Sequence, residues 1–254
     1  MIVVHERFVL VGTSHVADES VKNIKLAMEK YKPEVVGIEL DTERFRALMS
    51  NQNEDSGKTK NKEYQAIKHI GMFGFLFAKL AGFTQEKIAK SLNIQPGIDM
   101  KSAYEISREN KIPVALIDQD IRITLKRLSL ISFKQKVGMC FSILTSGFNK
   151  EYKKLANMDF RKIPDSETVV KMIDIIKKEA PCLYKVLIAD RNKFMCNKLI
   201  DLSNIHQNGY IMAVVGAGHI SGMVKILKEH KFDSNNDPNS VSFSFNCVVE
   251  NNEF

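Results

Sequence analysis

The sequence lacks the cysteine patterns that are typical of disulfide-stabilised and zinc-binding domains. It contains no tryptophan and only four cysteines, which are widely spaced and form no Cys-x-x-Cys pair. A disulfide-stabilised secreted domain has a denser cysteine pattern in a shorter chain, and structural zinc sites use closely paired ligands. We therefore expect the cysteines to be reduced thiols of a cytoplasmic protein.

The sequence also has no long apolar run. Its most apolar stretch, Ile70–Phe83, contains Lys79 and falls short of the ~20 residues that a membrane-spanning helix needs. The first residues, Met1–Gly12, combine charged side chains with only a brief apolar run, which is not the pattern of a signal peptide. We therefore expect a soluble chain. A longer form of the chain with a further C-terminal segment would be expected to associate with a membrane.

The composition is that of a folded protein with a positive charge. Apolar residues make up 44% of the chain and the net charge is +7. The whole surplus of positive charge falls between Asp120 and Lys162. Such a stretch can meet nucleic acid or an anionic surface, but no aromatic stacking pattern or base-reading motif accompanies it. A solvated helical face is therefore favoured, and nucleic acid is not an expected partner.

Short apolar runs alternate with helical patterns towards both ends of the chain. The predicted strands are Arg7–Val11, Val35–Ile38, Val114–Ile117 and Tyr210–Val215. The predicted helices beside them are Asp18–Tyr31, one from Asp41 or Thr42 onwards, Asp99–Asn110 and Ile220–His230. Continuous apolar runs of this length are typical of strands buried on both faces, and their alternation with helices indicates a parallel α/β unit.

The remaining sequence is mainly helical in pattern. We predict one α/β domain over residues 1–254, with a mostly parallel central sheet formed by the N- and C-terminal parts. A long all-helical insertion occupies about 52–112 and 120–206, and a last edge strand is expected at Val241–Cys247, where apolar and polar residues alternate. Within the insertion, the apolar residues of Ile70–Phe77 exceed one helix face. They indicate a homodimer contact or a membrane surface, with core packing equally open.

Four predicted strands end at a residue that can carry chemistry. Two of them run into the pattern Gly-x-x-His, at Gly12–His15 and Gly216–His219. Glu39 and Asp118 directly follow the other two. Because the carboxyl ends of parallel strands meet at one edge of the sheet, where ligand sites gather, we expect His15, Glu39, Asp118 and His219 to share that edge.

Two imidazoles and a carboxylate suit a catalytic divalent metal that keeps positions for water. The same groups also suit metal-free acid–base catalysis. Each residue has a simpler explanation when taken alone, since Glu39 or Asp118 can be a charge at a helix N-terminus. Arg44 either reaches back to the edge or forms a surface pair with Asp41. The cluster Asp190–Asn192 has the pattern of a solvated helix surface.

Four segments together resemble the TraB family, which includes the PrgY pheromone-shutdown proteins, the GumN-like proteins and the Tiki proteases. The first, LVGTSHVADESV with PEVVGIELDTERFRAL, carries Gly12, His15, Glu39, Leu40 and Arg44. The second, PGIDMKSAYEISRENKIPVALIDQDIRITLKR, carries Gly97, Asp99, Met100, Asp118, Ile121, Thr124 and Arg127. The third, ADRNKFMCNKL, carries Arg191, Asn192 and Met195, and the fourth, AVVGAGHISGMVKIL, carries Gly216, His219 and Gly222.

The chain departs from the family pattern at three positions. Gln119 stands where the family tends to have Arg, and Asp99 and Asp190 stand where Glu is usual. The first two substitutions alter the charge or reach of side chains near the expected site. They therefore keep open a protein that binds without catalysis.

The resemblance implies a fold like that of the erythromycin esterase (EreA) and ChaN-like groups, with both Gly-x-x-His histidines at the site. Tiki-type members are metal-dependent proteases in which manganese or cobalt is implicated. Pheromone-shutdown members cleave or sequester a peptide, and many continue into membrane segments.

On this basis we expect a metal-dependent, peptidase-like hydrolase with a peptide as substrate. The expected metal ligands are His15, His219 and Glu39; the expected catalytic residues are Glu39, Arg44 and Arg191; and the residues expected to line the site are Gly12, Asp118, Arg127 and Gly216. The alternative is a peptide-binding or sequestering protein that uses the same cleft without turnover.

Overall fold

The computed structural model describes residues 1–13, 17–50, 97–132, 134–135 and 166–230. His15, the apolar segment Ile70–Phe83 and the predicted strand Val241–Cys247 lie outside the described residues, as does most of the basic stretch. Within the described ranges, no helix combines the length and apolar character that crossing a membrane requires.

The described part of the chain forms an α/β fold around a mixed sheet of five strands. The strands are β1 (Ile2–His5), β2 (Phe8–Thr13), β3 (Val35–Ile38), β4 (Val114–Leu116) and β5 (Ile211–Gly216). Their order is β1-β2-β5-β3-β4, with β1 antiparallel to β2 and every other pair parallel. The prediction of an α/β protein with a mostly parallel sheet is confirmed.

Helices cover both faces of this sheet. They are α1 (Ala17–Tyr31), α2 (Thr42–Met49), α3 (Ile98–Glu109), α4 (Ile121–Ser129), α5 (Ser166–Glu179), α6 (Pro181–Tyr184), α7 (Asp190–Ile205) and α8 (Ala217–Glu229). A single π-helical turn, Lys185–Ala189, joins α6 to α7. Asp41 caps α2 by accepting a hydrogen bond from the backbone of Arg44, as its place before Thr42 predicts.

The sheet is buried on both sides because successive residues of its strands face opposite layers. Phe8 and Leu10 belong to the cluster that packs on α7 and α8, whereas Val9 and Val11 belong to the cluster that packs on α1 and α3. All six residues of β2 are buried. This double burial explains why β2 reads as a continuous apolar run in the sequence.

The sequence interpretation overlooked strand β1. The chain reverses through Glu6 and Arg7, and Glu6 adopts a positive φ of 49°. No glycine or asparagine signals this turn, so the N-terminal residues have only the pattern of a brief apolar run. As an edge strand with one neighbour, β1 shields β2 from solvent.

Strands β2 and β5 are parallel neighbours, so their carboxyl ends lie at the same edge of the sheet. Gly12 lies opposite Val215, and Thr13 lies opposite Gly216. A Cβ atom at Gly12 would lie 2.9 Å from the Ile220 side chain, so glycine is what lets α8 approach the strand here. Gly12 and Gly216, the first residues of the two Gly-x-x-His patterns, therefore lie on neighbouring strands.

Candidate active site at the carboxyl edge of the sheet

Glu39 is attached to the edge of the sheet through its backbone and its side chain. Its backbone N–H donates to the Val214 carbonyl at 3.1 Å, which continues the pairing of β3 with β5. Its Oε2 accepts a hydrogen bond of 2.6 Å from the backbone N–H of Gly216. The carboxylate therefore has a defined position beside the start of α8.

His219 lies in the first turn of α8 and is buried. Its Nε2 is 3.3 Å from Glu39 Oε1, and its Nδ1 is 2.6 Å from Asn192 Oδ1. An amide oxygen only accepts hydrogen bonds, so Nδ1 is the nitrogen that carries a proton and donates to Asn192. Nε2 is consequently the nitrogen that faces Glu39.

The environment keeps Glu39 ionised. Burial alone would raise the pKa of this carboxyl, but the charge and the hydrogen bond that His219 supplies when protonated, the charge of Arg191 and the Gly216 N–H outweigh it. Together they hold the pKa of Glu39 far below its usual range. The side chain is therefore an anion at any physiological pH.

Arg191, near the start of α7, connects the two carboxylates of the edge. Its Nη2 donates to Glu39 Oε1 and, at 2.6 Å, to Asp118 Oδ2. Its Nε donates to Asp118 Oδ1 at 3.1 Å and its Nη1 to the Leu187 carbonyl at 3.3 Å. Burial opposes the charge of Arg191, but the neighbouring carboxylates raise its pKa above its ordinary value. The interpretation of Arg191 as part of a solvated helix surface is therefore wrong, because its side chain is only 16% exposed.

Asp118 lies between two guanidinium groups. Its side chain is 1% exposed and accepts hydrogen bonds from Arg191, from Arg44 and, at 2.8 Å, from the Gln119 backbone. The residue that caps α4 is Asp120, not Asp118. The structure therefore places Asp118 beside the other edge residues, bridging α2 and α7.

Arg44 fulfils both interpretations that its position in the sequence allowed. Its Nε donates to Asp41 Oδ2 at 2.7 Å, and its Nη2 donates to Asp118. Its side chain is 34% exposed, compared with 16% for Arg191. Arg44 is thus the more accessible of the two edge arginines.

The π-helical turn before α7 contributes to this arrangement. A π turn adds one residue to a helix and so rotates the side chains that follow it; such turns are frequent at functional sites. Arg191 and Asn192 follow Lys185–Ala189 almost directly, and both point to the sheet edge. Asn192 is buried, although the sequence interpretation gave it no role.

Two further residues named in the sequence analysis, Arg127 and Gln119, form hydrogen bonds away from Glu39 and His219. Arg127 Nη1 lies 2.8 Å from Asp190 Oδ2 in a solvent-exposed pair. Gln119, which replaces the arginine usual in the family, donates to Thr124 Oγ1 at 2.8 Å. Its neutral amide is therefore satisfied inside the protein.

Asp99 joins helix α3 to the end of strand β2. Its Oδ2 accepts a hydrogen bond of 2.5 Å from Thr13 Oγ1, and its Oδ1 accepts one of 3.0 Å from the Met100 N–H. Both residues of the Thr13–Asp99 pair are buried. This bond fixes the last strand residue before the segment that carries His15.

Two of the three expected metal ligands are adjacent. The described residues contain no group of three or more potential ligands of the His, Cys, Asp and Glu types, and His15 lies outside them. His219 Nε2 and Glu39 Oε1, however, are 3.3 Å apart. With Nδ1 donating to Asn192, these two acceptor atoms face each other and require a proton or a cation between them. Ligands bound tetrahedrally at ~2.1 Å to one ion lie about 3.4 Å apart, so this spacing is compatible with two ligands of one ion and equally with a direct hydrogen bond.

Fold and site together define a class of protein: an α/β protein in which a buried histidine contacts a mostly buried glutamate, with two arginines beside them at the carboxyl edge of the sheet. The TraB/PrgY/gumN family matches residues 4–234 of the chain. The chain belongs to this family, and the resemblance inferred from its motifs is confirmed.

Curated relatives extend over nearly the whole chain. An uncharacterised protein of Methanocaldococcus jannaschii is 34% identical over 232 residues, which is 90% of this chain and 54% of that protein. The TraB domain-containing proteins of Homo sapiens and Mus musculus are each 24% identical over 244 residues, covering 86% of this chain and 62% of theirs. The chain thus spans between half and two thirds of the length of these relatives.

Proposed function

We propose that the protein is a metal-dependent, peptidase-like hydrolase whose reacting centre lies at Glu39 and His219. The observation that carries this proposal is the pair of acceptor atoms, His219 Nε2 and Glu39 Oε1, at 3.3 Å. A buried imidazole and a carboxylate that face each other in this way would supply two of the three protein ligands that a catalytic metal site typically uses.

His219, Glu39 and His15 would hold the ion, for which manganese and cobalt are the expected metals. When bound, the metal lowers the pKa of a water ligand and polarises a substrate carbonyl. Glu39 accepts hydrogen bonds from Arg191 and from the Gly216 N–H, and both donors favour its anionic form. This arrangement suits a ligand better than a general base, which must take up a proton.

The two arginines would have different tasks. The hydrogen bonds of Arg191 go to Asp118, Glu39 and the Leu187 carbonyl, so it holds the carboxylates in place. Arg44 uses Nε and Nη2 in the same way but is partly exposed, and no hydrogen bond of its Nη1 is seen to any described residue. Arg44 is therefore suited to a substrate carboxylate or a developing oxyanion.

The proposal is tested by incubating the protein with Mn²⁺ or Co²⁺ and a diverse peptide library, with cleavage read by mass spectrometry. We expect products from the parent and none from His219→Gln. The matched control is His206→Gln, a histidine after α7 whose side chain lies 3.5 Å from Glu34, away from the edge residues. Absence of products with either metal, or equal cleavage by parent and His219→Gln, would overturn the proposal.

A non-catalytic peptide-binding protein is the second candidate. The observation that favours it is the internal ion pairing of both edge carboxylates, which leaves Glu39 and Asp118 with protein donors. Calorimetry distinguishes the two candidates. Peptide binding that is undiminished by a chelator, without cleavage after metal is restored, supports sequestration.

A further inference from the structure

The contact between Asn192 and His219 has a consequence for the chemistry of the imidazole. We propose that Asn192 is a positioning residue that fixes which nitrogen of His219 faces Glu39, and that Gly222 is a glycine because the Asn192 amide occupies the space of a side chain there. The part of this inference that concerns turnover rests on the proposed hydrolase; the part that concerns the imidazole does not.

Two acceptors compete for the proton of a neutral His219. Asn192 Oδ1 lies 2.6 Å from Nδ1, and Glu39 Oε1 lies 3.3 Å from Nε2. The shorter contact keeps the proton on Nδ1, which leaves the Nε2 lone pair directed at the reacting centre. Without Asn192, the neutral ring would carry its proton on Nε2 and donate it to Glu39. A partner on the second nitrogen commonly selects the tautomer of a metal-binding histidine in this way.

The position of the Asn192 amide depends on Gly222. Asn192 belongs to the first turn of α7, is 1% exposed, and directs its amide towards α8. A Cβ atom built on Gly222 would lie 2.2 Å from Asn192 Nδ2 and 3.3 Å from its Cγ. Real Cβ atoms do not approach this closely, and the short, buried side chain of Asn192 has no free end that can bend aside. A methyl group at residue 222 must therefore move the amide, and with it the acceptor of His219.

This geometry predicts that Gly222→Ala reproduces the effect of Asn192→Ala although residue 222 is not the hydrogen-bond partner of His219. The matched control is Gly218→Ala in the same helix. Its Cβ would lie 3.2 Å from the Cδ1 end of Ile173, a flexible tip that can give way. Gly218 lies in the first turn of α8 and Gly222 in its interior, where Gly→Ala by itself favours the helix. Loss of the His219 signal in Gly222→Ala would therefore report on the Asn192 amide and not on helix propensity.

The experiment is NMR of the metal-free protein labelled with ¹⁵N-histidine, with the His219 signal assigned by its loss in His219→Gln. In the parent we expect a Nδ1-bound proton that is protected from exchange with water. Asn192→Ala and Gly222→Ala should lose this protected signal. Gly218→Ala should keep it, and so should Asn192→Asp, which retains an acceptor oxygen. Circular dichroism of each variant checks that the protein is folded.

A protected Nδ1 proton that survives in folded Asn192→Ala would overturn the inference, as would Gly222→Ala behaving like Gly218→Ala. Should Gly222→Ala not fold, Asn192→Ala and Asn192→Asp decide the question. If the protein hydrolyses peptides, Asn192→Ala should lower kcat by about 10- to 100-fold with KM within about twofold, and Asn192→Asp should recover part of the loss. The NMR result holds whether or not hydrolysis is found, so the two proposals fail separately.

Discussion

Arg191 forms a bidentate ion pair with Asp118: its Nε lies 3.1 Å from Oδ1 and its Nη2 lies 2.6 Å from Oδ2. The residues are separated by 73 positions in the chain, so the contact joins the loop after β4 to the start of α7. Nη2 also donates to Glu39, so Arg191 links the carboxylate of Asp118 to the carboxylate of Glu39.

Asp118→Asn should destabilise the protein strongly. The carboxylate is buried between Arg44 and Arg191, and removal of one partner of a buried ion pair leaves charge uncompensated. The expected loss in the free energy of unfolding is about 3–5 kcal/mol, measured by urea denaturation.

The control for Asp118→Asn is Asp120→Asn, two residues further along. Asp120 pairs with the exposed Arg122, and asparagine is also a good N-cap, so we expect a loss of no more than ~1 kcal/mol. Equal effects of the two substitutions would show that Asp118 does not hold the arginines together.

Arg191→Lys should impair the site although it keeps the positive charge. A lysine ammonium lacks the planar fork that reaches both oxygens of Asp118 and Glu39 at once. We expect kcat/KM for any peptide that the parent cleaves to fall at least about tenfold, which corresponds to ~1.4 kcal/mol. In Arg122→Lys, where the pair with Asp120 is exposed, activity should change less than about twofold, within the range of a surface ion pair. The same loss in both variants would contradict the role of the fork.

Thr13→Val should weaken the attachment of β2 to α3. The substitution preserves shape but leaves Asp99 Oδ2, which is buried, without the Thr13 hydroxyl that donates to it at 2.5 Å. An unsatisfied buried acceptor costs about 1–3 kcal/mol of unfolding free energy, which thermal or urea unfolding will show. Thr13→Ser keeps the hydroxyl and should lose less than Thr13→Val; the opposite order would rule out this hydrogen bond as the cause.

Cys196 should resist alkylation in the folded protein. Burial raises the pKa of its thiol to about 12, so the reactive thiolate is scarce at pH 8.5. Iodoacetamide followed by peptide mass mapping should leave Cys196 unmodified until urea is added, whereas the half-buried Cys182 should react first. The pKa of Cys196 is higher in the folded than in the unfolded state. Its contribution to the free energy of unfolding is therefore lost as the pH rises above the unfolded-state pKa of about 8.5. Equal labelling of the two thiols without urea would contradict the burial of Cys196.

The sequence predicts much of the sheet because β2, β3 and β5 are buried on both faces. Each appears as a continuous apolar run, and helix α1, predicted as Asp18–Tyr31, is observed as Ala17–Tyr31. Strand β1 was overlooked because its turn uses Glu6 at a positive φ, a conformation for which the residue type gives no signal.

Residues at strand ends can be predicted, but contacts between helices cannot. Glu39 directly follows β3 and Asp118 lies two residues after β4, so the chain itself places them at the edge. Asn192 meets His219 only because α7 packs on α8 and because a π-helical turn rotates the start of α7. Its signal in the sequence was the Arg-Asn-x-x-Met element, which marks the residue without revealing its partner. The predicted contribution of His15 stays a prediction.

The central claim is that His219 and Glu39 bind one divalent ion, and anomalous diffraction from crystals grown with Mn²⁺ tests it most directly. We predict an anomalous peak within bonding distance, about 2.0–2.2 Å, of His219 Nε2 and Glu39 Oε1, and its loss in His219→Gln crystals. A direct Nε2–Oε1 contact of hydrogen-bond length between His219 and Glu39, with no anomalous peak at this edge in millimolar Mn²⁺, would contradict the account.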